Sequence, residues 1–329
     1  MLLNYKGEET IMLNNYHYFL MLAKELNISS AAEKLYISHQ CLSKYLKNLE
    51  KAYDIALFER KPSLRLTPAG EMLLKAFKDI EFSEQNIKSE IENMKSTEVG
   101  TVNLGITEGR YPIIVPKLLK EYQEMCPHVH LNIINTTTPK MREMTMNNNL
   151  DLFLSGLNYL NPRLESIKIM DEKLYLVISD NLLKRYFNDY PDCKKKMEAG
   201  VNLRDFTAIP CILNKTNFNS RTVIDRHLAK EGLTLNCIAE LTQPDMHYRL
   251  TSEDMAMSFC LTMYLDGIKH INQLQELQGS DNMLNVFPIN NLTETNPLGI
   301  MYLRGKILPS YTQKLCKLIK TICKSYSKM

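Results

Sequence analysis

The apolar positions of the first seventy residues recur at helical steps. Tyr16, Phe19, Leu20 and Ala23 lie three and four apart and predict a helix over Leu13 to Glu25. A break follows at Asn27-Ile28-Ser29. Ser30 and Glu33 then have the spacing of a capping box, in which the two side chains satisfy each other's free backbone amides. The short helix so opened carries the small residues Ala31 and Ala32, which let a neighbouring helix come close. Ser38 is a good N-cap for a third helix running to about Tyr53, where Leu42, Leu46, Leu49 and Tyr53 form one buried stripe. The opposite face near its start presents Ser38, His39, Gln40, Ser43, Lys44 and Lys47, donors suited to phosphates and to base edges in a major groove. A short helix, a tight turn and a helix polar at its N-terminal end make a helix-turn-helix. Leu57 to Pro68 reads as two short strands around a basic turn, a wing that places Lys61 and Arg65 beside the DNA backbone.

From Pro68, which suits a first helical position, a longer period takes over. Leu73, Phe77, Ile80, Glu84, Ile87, Ile91 and Met94 step by four and three in alternation, an a/d seam about three heptads long. An amphipathic helix packed on its own chain explains such a stripe too. The 3.5-residue period and the polar Glu84 on the seam favour a dimer.

Beyond Thr97-Glu98-Val99-Gly100 the pattern changes to strands alternating with helices. Val102, Leu104 and Ile106 predict a strand, followed by a helix with Pro116 in its first turn and Leu118, Leu119 and Tyr122 inward. The strand Val129 to Ile134, a helix opened by Pro139 and the strand Leu150 to Leu154 continue a βαβα rhythm, which implies a mainly parallel sheet. A second strand set is expected at Lys173 to Ile178, Ala208 to Leu213, Leu235 to Leu241 and Met255 to Cys260. Asn188 to Lys196 reads as a charged loop. Late strands at Val286 to Ile289 and Leu298 to Leu303 precede a closing helix with Tyr311, Leu315, Leu318 and Ile322 inward. Ligands of open α/β sheets sit beyond the carboxyl ends of strands, where loops lead into helix N-termini with free amides. Three polar loops qualify: Thr107-Glu108-Gly109-Arg110, Asn135-Thr136-Thr137-Thr138 and Asn214-Lys215-Thr216-Asn217. The effector-binding candidates are Thr107, Glu108, Arg110, Thr136, Thr137, Asn214, Lys215 and Thr216. Glu108 disfavours a bare anion unless Arg110 offsets it, and otherwise pairs with an amine.

Composition narrows the class. A chain of 329 residues suits one small domain and one larger two-lobed one, and 44% hydrophobic residues are enough for real cores. No apolar run approaches the length of a membrane span, and residues 1–11 lack the apolar stretch of a secretory signal. That leader reads as a short disordered arm or an overcalled start. Eight cysteines without a C-x-x-C pair argue against a disulfide scaffold or a structural zinc site and fit a reducing cytoplasm. Cys126-Pro127-His128-Val129-His130 resembles a metal cluster, but a helix end running into a strand explains it as well, and no metal or cofactor is assigned. The net charge of +3 decides nothing by itself. Residues 33–65 hold seven Lys/Arg against four Asp/Glu, a modest excess of the kind a phosphate-facing surface carries. An enzyme is disfavoured by the lack of a G-x-S-x-G elbow, a P-loop or a G-x-G-x-x-G fingerprint. A transport solute-binding protein needs export, and either alternative leaves residues 13–70 without a purpose.

Residues 13–70 resemble, without a gap, the LysR-type transcriptional regulators. The likeness rests on Tyr18-Phe19, Ser30-Ala31-Ala32-Glu33-Lys34-Leu35, Ser38, Leu42-Ser43-Lys44, Leu49-Glu50, Leu57-Phe58-Glu59-Arg60 and Leu66-Thr67-Pro68-Ala69-Gly70. Where the family usually has Gln-Pro-Ala after the capping serine, this chain has His39-Gln40-Cys41, which bears on the operator sequence. The resemblance implies an α+β protein with a winged helix-turn-helix at 12–70, a linker and dimerisation helix at 68–97, and a two-lobed α/β effector-binding domain at 98–329. The last is similar to periplasmic solute-binding proteins, with lobe I at 98–171 and 297–329 and lobe II at 172–296. It further implies a homodimer or homotetramer on double-stranded DNA carrying an interrupted inverted repeat near a promoter, a small-molecule effector, and contact with RNA polymerase, without membrane attachment.

Overall fold

A computed structural model describes residues 15–60, 63–95, 98–157, 161–216 and 218–326. The chain divides into two compact units, residues 1–94 and 95–329.

In the first unit, α1 (Tyr16–Glu25), α2 (Ile28–Lys34) and α3 (His39–Tyr53) are followed by β1 (Phe58–Glu59), β2 (Arg65–Leu66) and α4 (Pro68–Met94). Phe19, Leu22, Leu42, Leu46, Leu49 and Phe77 form a closed core, with Ala31 and Ala32 where α2 meets its neighbours. The expected capping box at Ser30 does not form. Asn27, three residues earlier, accepts from the amides of Ser29 and Ser30 and starts the helix sooner. Ser30 instead donates to Glu25, which also pairs with Lys34. The α2–α3 turn is a Schellman closure, with Ile37 N–H reaching Ala32 O and Tyr36 N–H reaching Glu33 O. Tyr36 takes the left-handed conformation there at φ 55°.

Glu50, inside α3, fixes the base of the wing by accepting from the amides of Leu57 and Phe58 and from Arg60. Thr67 donates to Ala56 O and accepts from the amide of Gly70. A Cβ at Gly70 stands 2.1 Å from Leu57 O, so only glycine lets α4 begin this close to the wing. The a/d stripe of α4 splits into two fates, which corrects the single seam expected from its spacing. Phe77 is buried against Phe19 and Tyr16, with Leu73 and Ile80 packed beside it. Glu84 accepts from the Tyr16 hydroxyl and pairs with Lys88. Ile87, Ile91 and Met94 are 58%, 50% and 83% exposed. The upper half of the stripe is therefore consumed by its own chain, because α1 lies along it, and the lower half is free.

The second unit runs β3 (Gly100–Ile106), α5 (Tyr111–Met125), β4 (Val129–Asn135), α6 (Thr138–Met146), β5 (Leu152–Gly156), β6 (Leu164–Glu172) and β7 (Leu174–Ser179). It continues through α7 (Asp180–Tyr186), α8 (Asp192–Met197), β8 (Pro210–Asn214), α9 (Asn219–Glu231), β9 (Asn236–Leu241), α10 (Pro244–Ser252) and β10 (Ser258–Leu261). It closes with α11 (Leu265–Leu277), β11 (Leu284–Pro288), β12 (Asn296–Leu303) and α12 (Ser310–Tyr326). One sheet has the order β4-β3-β5-β12-β6, with β3 parallel to β4 and β5, and β12 antiparallel to β5 and β6. A second part joins the antiparallel set β10-β7-β11 to the parallel pair β8-β9 through a bridge between Cys211 and Met257.

Parallel pairing is thus less pervasive than the alternation implies, since the returning strands β7 and β12 run against their neighbours. Strand β6, which the alternation does not reveal, supplies β12 with its longest partner. Pro112 and not Pro116 lies in the first turn of α5, Pro116 is interior, and Leu119 faces solvent. The segment read as a charged loop contains α8, whose Lys194 pairs with buried Asp180 at 2.8 Å.

Two hydrophobic cores form. One gathers β3, β5, α5 and α12 around Leu104, Leu118, Leu154 and Ile319. The other gathers β7, β10 and their helices around Leu176, Phe206, Cys211 and Met257. The backbone passes between the cores after β6 and again before β12. At this double crossing Glu172 and Asn296 are paired across the strands and buried.

Candidate nucleic-acid interface and ligand cleft

In the first unit the Ser38 hydroxyl accepts from the Cys41 amide at 3.1 Å and caps α3. The leucine stripe faces the core, which turns the other side of the helix outward. His39, Gln40, Lys44 and Lys47 are exposed and Ser43 is half-buried. Among the described residues none of these five side chains makes a hydrogen bond or ion pair. That is the state of a surface whose donors await an external acceptor, here next to a helix N-terminus that itself favours anions. On the wing Arg65 is exposed and its Nε donates to Ser63. Lys61 lies outside the described residues.

In the second unit a cleft of about 450 Å³ opens between the two cores. Thr107, Glu108 and Arg110 line it from the turn after β3, Thr136 and Thr137 from the loop after β4, and Asn214 from the end of β8. Lys215 and Thr216 do not line it and are exposed, on a turn that faces solvent between Asn214 and the lining residues that open α9. Arg142 on α6, Ser155 and Gly156 at the end of β5, and Asn219, Pro244 and Tyr264 on the opposite wall also line it, and the sequence reading does not include them. The sequence clue to Arg142 is its place one turn into the helix that Pro139 opens. The others come from positions far apart in sequence.

The two arginines differ in kind. Arg110 is nearly buried and binds the fully buried Glu172 at 2.5 Å, while Asn296 donates to the same carboxylate oxygen at 3.0 Å. Burial opposes the charge on Arg110, and the adjacent Glu172 carboxylate more than offsets it, so the guanidinium stays protonated. Arg110 is therefore engaged by Glu172, which leaves the other alternative for Glu108, that it pairs with an amine. Glu108 accepts from Gln243 at 2.7 Å, a contact from one wall of the cleft to the other. Arg142 has no hydrogen-bonding or ionic partner among the described residues. On the floor the Thr138 and Ser155 hydroxyls share a hydrogen bond of 2.7 Å. The walls touch at two glycines: a Cβ at Gly109 stands 2.6 Å from the Tyr264 hydroxyl, and one at Gly156 stands 2.5 Å from Asn219 Nδ2.

Cys126 ends α5 before β4 begins, and its buried thiol donates to Glu98. His247 on α10 is buried beside Asn214, and burial pushes its imidazole down to about 4. Among the described residues no helix is long and apolar enough to cross a membrane.

Comparison with known proteins places both units. Residues 13–71 match the family of the bacterial regulatory helix-turn-helix protein, lysR family, and residues 95–321 match the LysR substrate binding domain. The transcriptional regulator YtlI of Bacillus subtilis is 26% identical over 291 residues, covering 86% of this chain and 84% of its own length. YkuM of the same organism, an uncharacterized regulator, is 29% identical over 170 residues, covering 51% of this chain and 57% of its own length. Among solved structures, a full-length OxyR point mutant from Pseudomonas aeruginosa is similar in fold at a TM-score of 0.65 and 19% identity, with 93% of each chain covered. Full-length CbnR, solved with its target DNA, gives 0.52 at 16% identity, covering 93% of this chain and 98% of that one. With both domains matched in order along one chain, the protein belongs to the LysR family: it is a DNA-binding transcriptional regulator with an effector-binding domain, and not an enzyme.

Proposed function

We propose that the N-terminal half of α3 enters the major groove, with Ser43, Lys44 and Lys47 on phosphates, His39 and Gln40 reading base edges, and Ser38 capping the helix at the groove. Arg65 on the wing, and Lys61 in the same basic stretch of sequence, are assigned to the DNA backbone. The observation that carries this reading is the row of exposed side chains on α3 with no partner among the described residues. Ile87, Ile91 and Met94 are the self-association positions, since they alone of the stripe's apolar members are left exposed. A dimer places two such helices about 34 Å apart, one helical turn of DNA, which suits an interrupted inverted repeat near a promoter. A pair of dimers is the larger assembly, and the working compartment is the cytoplasm.

The cleft between lobe I (98–171 and 297–329) and lobe II (172–296) is the effector site. Its volume falls within the range of small-molecule sites. Thr107, Glu108, Thr136, Thr137 and Asn214 face the effector, and Arg110 holds the crossing behind it. An effector that prefers one arrangement of the assembly by a coupling of about 1–3 kcal/mol changes the contact with DNA or polymerase.

The test is binding of the purified protein to the intergenic DNA upstream of its own gene, with excess nonspecific competitor at physiological salt. Lys44→Ala is expected to weaken binding to all sequences and to lower the salt slope by about 0.9. Gln40→Ala is expected mainly to relax specificity. Unchanged affinity and slope for Lys44→Ala refutes this placement of the recognition helix.

A further inference from the structure

The charges of the cleft do not cancel one another, and their arrangement selects a class of ligand. Arg110 is neutralised from behind by Glu172. That leaves two charged groups facing the cavity, Glu108 and Arg142. Glu108 uses one carboxylate oxygen to accept from the neutral Gln243 amide, a contact that satisfies a lone pair and leaves the charge uncompensated. Among the described residues Arg142 has neither an anionic partner nor a hydrogen bond. The two sit on segments that follow β3 and β4, which are hydrogen-bonded neighbours about 4.8 Å apart. Both line the same cavity.

A simple carboxylate or phosphate in this cleft meets Arg142 and also meets Glu108, a like charge. A simple amine meets the reverse. A molecule carrying both an ammonium and a carboxylate pairs with both groups and meets no like charge. The apolar remainder of the cleft, Leu174, Phe218, Phe259 and Leu261, offers a surface for a hydrophobic substituent. Resting on the assignment of this cleft as the effector site, we propose that the effector is zwitterionic, an α-amino acid or a close derivative, with its ammonium at Glu108 and its carboxylate at Arg142.

The experiment is isothermal titration of the full-length protein with the standard α-amino acids. Each is compared with its deaminated carboxylic acid and its decarboxylated amine, for instance phenylalanine with 3-phenylpropanoate and 2-phenylethylamine. At least one amino acid is expected to bind, with both truncated analogues weaker by roughly tenfold or more, the loss of one charge-assisted hydrogen bond. Glu108→Gln is expected to abolish the preference for the amino acid over the acid. Arg142→Gln is expected to abolish the preference over the amine. Loss of one preference at a time is a pattern that a merely structural role does not produce. An acid that binds as tightly as its amino acid, sensitive to Arg142→Gln and indifferent to Glu108→Gln, overturns the zwitterion inference and leaves the cleft as the effector site. Failure of every amino acid to bind overturns it as well. Binding that neither substitution alters overturns the assignment of the cleft itself.

Discussion

Replacing Glu172 by glutamine isolates the cost of the buried charge at the crossing between the two cores. The side chains of Arg110 and Glu172 are 9% and 0% exposed. Removing one partner of such a pair typically costs about 3–5 kcal/mol, because the other charge stays buried without compensation. Glutamine keeps the shape and an oxygen acceptor for Asn296, so the loss is nearly all electrostatic. Two features put the figure at the lower end. Arg110 Nε and Glu172 Oε1 already lack partners, and Arg110 borders the cleft, which lets solvent reach the stranded guanidinium. A destabilisation of about 3 kcal/mol is expected. For a unit of this size that corresponds to a fall in melting temperature of roughly 6–12 °C, read by calorimetry on the transition of residues 95–329. The companion Arg110→Met/Glu172→Met removes both charges and is expected within about 1 kcal/mol of the parent, or above it. A loss under about 1 kcal/mol for the single change, or a double change as costly as the single one, refutes the argument that an uncompensated charge dominates.

Further expectations concern both units. Gly70→Ala drives a methyl into Leu57 O, and thermal unfolding of residues 1–94 is expected to show a loss of about 3 kcal/mol, with DNA binding lost in parallel. Phe77→Ala is expected to cost the same unit about 3–5 kcal/mol, while Ile91→Ser leaves its stability unchanged and weakens self-association in sedimentation. Equal effects of those two on stability refute the division of the α4 stripe. The His247 imidazole titrates at about 4 in the folded chain, below its ordinary value of 6.5, so its contribution to stability is complete above pH 6.5 and is lost as pH falls toward 4. The loss integrates to about 3 kcal/mol, and His247→Gln is expected to flatten that part of the stability profile.

The first unit is legible because its signals are local. The leucine stripe and the Ser38 cap fix which face of α3 is exposed, and both lie within one helix. The start of α2 is not, because Asn27 and Ser30 are both capping residues, and Asn27, which comes first on the chain, takes the Ser29 and Ser30 amides and leaves Ser30 inside the helix. The heptad in α4 has the right period and hides the partner of Phe77, since a stripe records that a face is covered and not by what. In the second unit the ends of β3, β4 and β8 point to the cleft because ligand loops follow strand ends. The fate of Arg110 is hidden, for Glu172 lies 62 positions away on a strand that the alternation does not reveal. Lys215 and Thr216 are candidates by proximity in sequence, whereas one further residue along a turning loop is enough to leave a cavity.

At Gly109 and Gly156 the walls of the cleft stand so close that there is no room for a methyl group without a shift. A side chain at either position is therefore a wedge: Gly109→Ala or Gly156→Ala must push aside the Tyr264 hydroxyl or the Asn219 amide, or else part the walls. The width of the cleft is set in part by two β-carbons that are not there.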